Sequence, residues 1–164
     1  MIATGLGIAN EARGLVTGVI DRWAAAKNAK LDAKALVRLL LLEARRNLAI
    51  LDATIGAEDA DSHARSWQAA TVLQVEVIET ILGQGETSAK AFSEVEKLRI
   101  SDPDEGQDGA DFLTSLYVRV TALQSLALLN RKTPLKKVRI ELRLKNMRND
   151  FLLLVKTLNK SAEK

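Results

Sequence analysis

Residues 36–56, LVRLLLLEARRNLAILDATIG, combine a leucine-rich pattern with a carboxylate and an amide near its centre. The apolar residues recur at spacings of three and four, which places them on one face of a helix. Asp32 is suited to cap the start of this helix, and Gly56 is suited to end it. The stretch therefore predicts a long amphipathic helix and, with it, an all-α fold.

Glu43 and Asn47 point in the same direction as the leucines when this helix is drawn as a wheel. A buried carboxylate needs a partner or a raised pKa. Arg119 also lies within an apolar arc of a later predicted helix. We therefore expect Glu43 to pair with Arg119, with Asn47 and Gln74 completing the hydrogen bonds. Such a cluster either fixes the register of the helices or lines a pocket that binds a ligand or substrate.

The rest of the chain repeats the helical pattern. Further helices are predicted at about 8–27, from a cap at Asp61 or Ser62 to about Gly83, as a short helix at 88–99, after a cap at Asp111, and from Thr133-Pro134 onward. The strict alternation at 137–145 is also typical of a strand, but an apolar stripe from Ile140 to Leu158 favours a helix. The short connection before Pro134 predicts an antiparallel hairpin of the last two helices.

These elements predict a single domain over 1–164, an antiparallel helical bundle of four long helices plus one short helix. Residues 101–110 form an acidic loop before the C-terminal hairpin. The 164 residues are 47% apolar and 27% charged, with no cysteine. This composition is that of a globular protein and excludes disulfides and thiolate metal sites. A cytoplasmic protein with no membrane span is the expectation.

Charge is distributed unevenly along the chain. Residues 101–111 contain five acids and no base, whereas residues 131–148 contain eight bases and one acid. Four of these bases form a candidate binding surface: Lys132, Lys136, Arg139 and Arg143. On a continuous helix the last three fall within a narrow arc, which suits phosphates or an acidic protein face, including residues 101–111 of a second copy. A solvated helix face is the alternative.

No pattern for a cofactor or a metal site is present. His63 is the single histidine, and position 60 is alanine, so the Glu-x-x-His pairs of di-iron bundles are missing. The acidic loop does not follow the EF-hand spacing, and there is no phosphate-binding glycine loop. The sequence therefore predicts no cofactor and assigns no catalytic residue.

The function favoured by these observations is a non-enzymatic interaction or regulatory module that self-associates. A second apolar line on the last helix, with Val138, Leu142 and Leu153, indicates either that this helix is central in the core or that it has a second contact surface, such as a homo-oligomer interface. The first alternative is a nucleic-acid-associated protein that uses residues 131–148. The second is a small-ligand-binding or enzymatic bundle built around Glu43, Asn47 and Arg119.

Overall fold

The computed structural model describes residues 32–56, 59–100 and 107–162. These residues form six helices and one two-stranded antiparallel sheet: α1 (Ala33–Ile55), α2 (Ser62–Val72), α3 (Glu76–Leu82), α4 (Glu86–Glu96), β1 (Arg99–Ile100), β2 (Gln107–Asp108), α5 (Gly109–Lys132) and α6 (Ile140–Ala162). The predicted all-α fold is confirmed. The helix predicted at 8–27 and residues 101–106 of the acidic loop lie outside the described residues.

Helix α1 has the bounds that the sequence predicts. The Asp32 side chain accepts a hydrogen bond from the Ala35 N–H at 2.7 Å, so it caps the first turn. At the other end the Gly56 N–H bonds to the Asp52 carbonyl at 3.1 Å. The leucine-rich face of α1 lies in the core, with Leu36, Leu40 and Leu51 buried.

Helices α1 and α6 form the main helix pair of the described core and run antiparallel. Arg45 donates to Asn159 at 2.8 Å, and Arg148 near the other end of the pair bonds to Asp52. Later residues of α1 therefore meet earlier residues of α6. Helix α5 packs chiefly on α2 and α4 and has few contacts with α6. The predicted C-terminal hairpin is thus loosely packed.

The single helix predicted from residue 62 to about 83 is wrong. Helix α2 ends at Val72, the backbone at Leu73 is extended (φ −60°, ψ 144°), and α3 begins at Glu76. The sequence 72–76 contains neither glycine nor proline, so no local signal marks the break. Side chains of α1 and α5 bind the backbone at this break.

The predicted helix start at Thr133-Pro134 is also wrong. Helix α5 continues to Lys132, and the Thr133 N–H still bonds to the Leu129 carbonyl at 2.9 Å. Proline is common just after a helix end because it cannot continue the helix, and Pro134 has that role here. A turn follows, and α6 begins at Ile140. The alternating segment at 137–145 is therefore helical from Ile140 onward.

The start of α5 lies before the predicted cap at Asp111. Asp108 is the cap, and its carboxylate accepts from the Asp111 N–H at 2.8 Å. The next residue, Gly109, packs so closely on α4 that an added Cβ would lie 2.0 Å from the Val95 carbonyl oxygen. Glycine at this position therefore permits the close contact that joins the start of α5 to the end of α4.

Candidate functional site

Glu43 and Asn47 lie on the buried side of α1, as the wheel predicts, with 1% and 0% of their surfaces exposed. They face the break between α2 and α3. Breaking a helix leaves the last carbonyls of one part and the first N–H groups of the next without helical partners. The two side chains meet those backbone groups.

Asn47 makes a two-point contact with one backbone unit. Its Nδ2 donates to the Gln74 carbonyl at 2.6 Å, and its Oδ1 accepts from the Gln74 N–H at 2.9 Å. The expected contact between Asn47 and Gln74 therefore exists, but it uses the Gln74 backbone. This pairing replaces the bonds that a continuous helix would have given residue 74.

Glu43 holds the start of α3. Its carboxylate accepts from the Val77 N–H at 2.9 Å and from the Ile78 N–H at 3.2 Å. These donors belong to the first turn of α3, where N–H groups lack partners within the helix and favour a negative charge. Glu43 thus serves as a cap supplied by another helix.

Two further side chains complete this group. Arg46 Nη2 donates to the Val72 carbonyl at 3.3 Å, and Gln124 Nε2 on α5 donates to the Leu73 carbonyl at 2.8 Å. We call Glu43, Arg46, Asn47 and Gln124 the polar clamp. The polar clamp binds the backbone on both sides of the break. Its structural role is therefore to hold α2 and α3 in place against α1 and α5.

Burial dominates the electrostatics of the polar clamp. It raises the pKa of Glu43 to about 7, although the Val77 and Ile78 N–H groups favour the charged form. The charge of Glu76 raises the pKa of Glu43 further, and that of Arg46 lowers it. Burial also lowers the pKa of Arg46, against the attraction of Glu76 and Glu43. The Glu43 carboxyl is therefore partly protonated at neutral pH.

The predicted pairing of Glu43 with Arg119 is wrong. Arg119 lies on α5 with 43% of its side chain exposed, and its Nη1 is 2.7 Å from Asp150 Oδ2 on α6. Its Nε donates to the Ser115 carbonyl at 3.3 Å. The backbone of α3 satisfies Glu43 instead, and Arg119 sits at the edge of its apolar arc, on the side of α6. The structure therefore separates Arg119 from Glu43, Asn47 and Gln74.

His63 joins α2 to α6. Its Nδ1 is 2.6 Å from Glu141 Oε1, and its Nε2 accepts from Trp67 Nε1 at 3.1 Å. Both ring nitrogens therefore have partners within the chain, so His63 links α2 to α6. In the part of the chain that the structure describes, no group of three His, Cys, Asp or Glu is placed to hold a metal ion.

The candidate basic surface is exposed but is not the helical ridge expected from the wheel. Lys132 ends α5, Lys136 lies in the following turn, Arg139 precedes α6, and Arg143 lies in its first turn. The narrow arc requires a continuous helix, which the turn at 133–139 interrupts. Among the described residues, none of these four side chains forms an ion pair.

Helix α5 has an exposed apolar face that was not predicted from the sequence. Val118 and Leu129 are 57% and 56% exposed, and Ala122 and Ser125 between them are also exposed. Their spacing of four, three and four is that of a coiled-coil contact line. We call Val118, Ala122, Ser125 and Leu129 the α5 face. Arg119 is the single charged residue between positions 112 and 130, and its ion pair with Asp150 turns it toward α6.

A signal for this face was present in the sequence. The apolar residues of α5 itself lie on nearly all of its sides. Such a distribution is typical of a helix that other surfaces cover on more than one side. Among the described residues, α5 is also the one helix that is long and apolar enough to cross a membrane. A third of its most apolar stretch is buried inside the protein. Core helices of water-soluble proteins meet the same criteria.

Comparisons with known proteins return no relative. No protein-family model, no curated protein and no solved structure matches the chain.

Proposed function

We propose that this chain is a non-enzymatic protein-interaction module that self-associates through the α5 face. The observation that carries the proposal is the exposure of Val118 and Leu129 on a side of α5 that has no charged residue between positions 112 and 130. Large apolar side chains that are more than half exposed along one line of a helix favour contact with another apolar surface.

The chemistry of the α5 face suits a second helix. Full burial of a valine or leucine side chain contributes about 1.5–3 kcal/mol, so covering the exposed halves of Val118 and Leu129 favours association. Ala122 and Ser125 are small and lie between them, which permits two helix backbones to approach closely. A second copy of the same chain supplies the same face, as a twofold interface requires.

Light scattering on the full chain over a range of concentrations tests this proposal. We expect the mass to rise above that of the monomer in the wild type. Leu129→Glu places a charge in the contact and should weaken association by about tenfold or more. The matched control is Leu142→Glu, because Leu142 is 49% exposed on α6, on the other apolar line that the sequence offers for self-association. It should associate as the wild type does.

Two outcomes contradict the proposal. One is a wild type that remains monomeric at the highest concentration. The other is an equal effect of Leu129→Glu and Leu142→Glu, which would mean that association does not use the α5 face. Thermal unfolding of both variants shows whether each is folded.

A nucleic-acid-associated role is the second candidate. It is supported by the exposure of Lys132, Lys136, Arg139 and Arg143 around one end of the bundle, free of ion pairs among the described residues. Phosphate binding by such residues weakens steeply with salt. A labelled RNA or DNA that binds at low salt, and less after charge reversal of Lys136, Arg139 and Arg143, favours this candidate. No binding at low salt removes it.

A further inference from the structure

We infer that two copies of α5 pack antiparallel, with the acidic start of each helix beside the basic end of the other. This inference rests on the proposed self-association and specifies its partner and orientation. It follows from the placement of charge along α5 and from the symmetry of the α5 face.

Charge on α5 is confined to its ends, apart from Arg119. Asp108 caps the helix and Asp111 lies in its first turn, whereas Arg131 and Lys132 lie in its last turn. Asp111 and Lys132 are both exposed. The α5 face occupies the uncharged stretch between them. One end of the contact line is therefore negative and the other is positive.

An antiparallel arrangement matches these ends. In that orientation Asp111 of one copy lies toward Lys132 of the second copy, and the two helix dipoles oppose each other. A parallel arrangement instead places Asp111 beside Asp111 and Lys132 beside Lys132, which is repulsive at both ends. Electrostatics therefore favours the antiparallel pair.

The order of side chains along the α5 face also suits reversal. Its spacing of four, three and four reads the same in both directions. In the antiparallel pair Val118 lies opposite Leu129 of the second copy, and Ala122 lies opposite Ser125. The small residues then meet at the centre, where the backbones are closest, and the two large residues meet on either side. The same four positions occur twice around a twofold axis.

Charge exchange tests the orientation. Asp111→Lys and Lys132→Glu each create like-charge contacts at both ends of an antiparallel pair, so each should weaken association by about fivefold, given the small energies of exposed ion pairs. The double variant Asp111→Lys/Lys132→Glu restores opposite charges and should associate within about twofold of the wild type. Recovery in the double variant also shows that the single variants did not simply misfold.

Cysteine cross-linking gives an independent readout because the chain has no cysteine. An equal mixture of Val118→Cys and Leu129→Cys should form the mixed disulfide faster than Val118→Cys alone forms its own. Faster cross-linking of Val118→Cys alone, or a double charge variant that does not recover, overturns the antiparallel pair while leaving self-association intact. A monomeric wild type instead overturns the proposed function itself.

Discussion

The polar clamp and the α5 face depart from the usual distribution of residues in opposite directions. The polar clamp places a carboxylate, a guanidinium and an amide inside the protein, whereas the α5 face places valine and leucine outside it. Buried polar groups and exposed apolar lines are both informative exceptions. The main difference is where their partners lie. The backbone of the same chain satisfies Glu43 and Asn47, while no described residue covers Val118 or Leu129.

The two features should therefore affect different properties: the polar clamp affects the stability of the fold, and the α5 face affects association. A buried polar group that is bonded within the chain fixes how helices meet, and its removal should lower stability. An exposed apolar line contributes little to the stability of the monomer, and its removal should change association instead. Substitutions in the polar clamp should therefore change the free energy of unfolding, and substitutions in the α5 face should change the dissociation constant of the dimer.

Asn47→Ala should lower the free energy of unfolding by about 4 kcal/mol. It leaves the N–H and carbonyl of Gln74 without their partner and creates a cavity in the core. Chemical denaturation measures the change. Asn146→Ala is the control, because Asn146 is exposed on α6, and it should change stability by less than about 0.5 kcal/mol. Equal stability of the two variants would contradict a structural role for the clamp.

Glu43→Gln should alter how stability depends on pH. Because burial raises the pKa of Glu43 from about 4.5 to about 7, the folded state favours the protonated form. The contribution of Glu43 to stability is therefore fully present below pH 4.5 and declines by about 3 kcal/mol as the pH rises to about 7. Glutamine does not titrate, so the decline should disappear from the variant.

Denaturation of the wild type and of Glu43→Gln at a series of pH values between 4 and 8 measures this effect. Glu94→Gln serves as the control, since Glu94 lies on the surface of α4 and pairs with Lys97. The control should follow the wild-type curve. If the curves of the wild type and Glu43→Gln are parallel, the Glu43 carboxyl does not bind its proton more tightly in the folded state.

Val118→Thr should have the smallest effect on the monomer. The shape of the side chain is nearly unchanged and the position is exposed, so the free energy of unfolding should change by less than about 0.5 kcal/mol. Loss of one apolar contact on each copy should raise the dissociation constant of the dimer by about threefold. Val72→Thr on α2 is the control, because Val72 is 48% exposed and does not belong to the α5 face.

Local periodicity predicted α1 and the direction of its polar residues. The bounds of this helix depend on Asp32, Gly56 and the leucines between them, all of which are close in sequence. The same periodicity placed Glu43 and Asn47 on the buried side. It could not identify their partners, because the backbone groups that bind them belong to residues 74, 77 and 78, and these groups look alike in every sequence.

The break at Leu73 could not be predicted from residues 72–76 alone, because the side chains that bind there come from other parts of the chain. The helix ends there because Asn47 and Gln124, both distant in sequence, bind its backbone groups. The helix start predicted at Thr133-Pro134 was wrong for another reason. Proline occurs in the first turn of helices and just after their ends, so the pair alone does not decide which helix it belongs to. The Thr133 N–H bond to Leu129 decides it.

Sedimentation velocity of the wild-type full chain across a wide concentration range shows whether the chain forms a dimer. We expect a species near the monomer mass of 17.9 kDa at low concentration and one of twice that mass at high concentration. Leu129→Glu should stay at the monomer mass over most of this range. A wild type that sediments at 17.9 kDa at every concentration would show that the α5 face does not form a dimer.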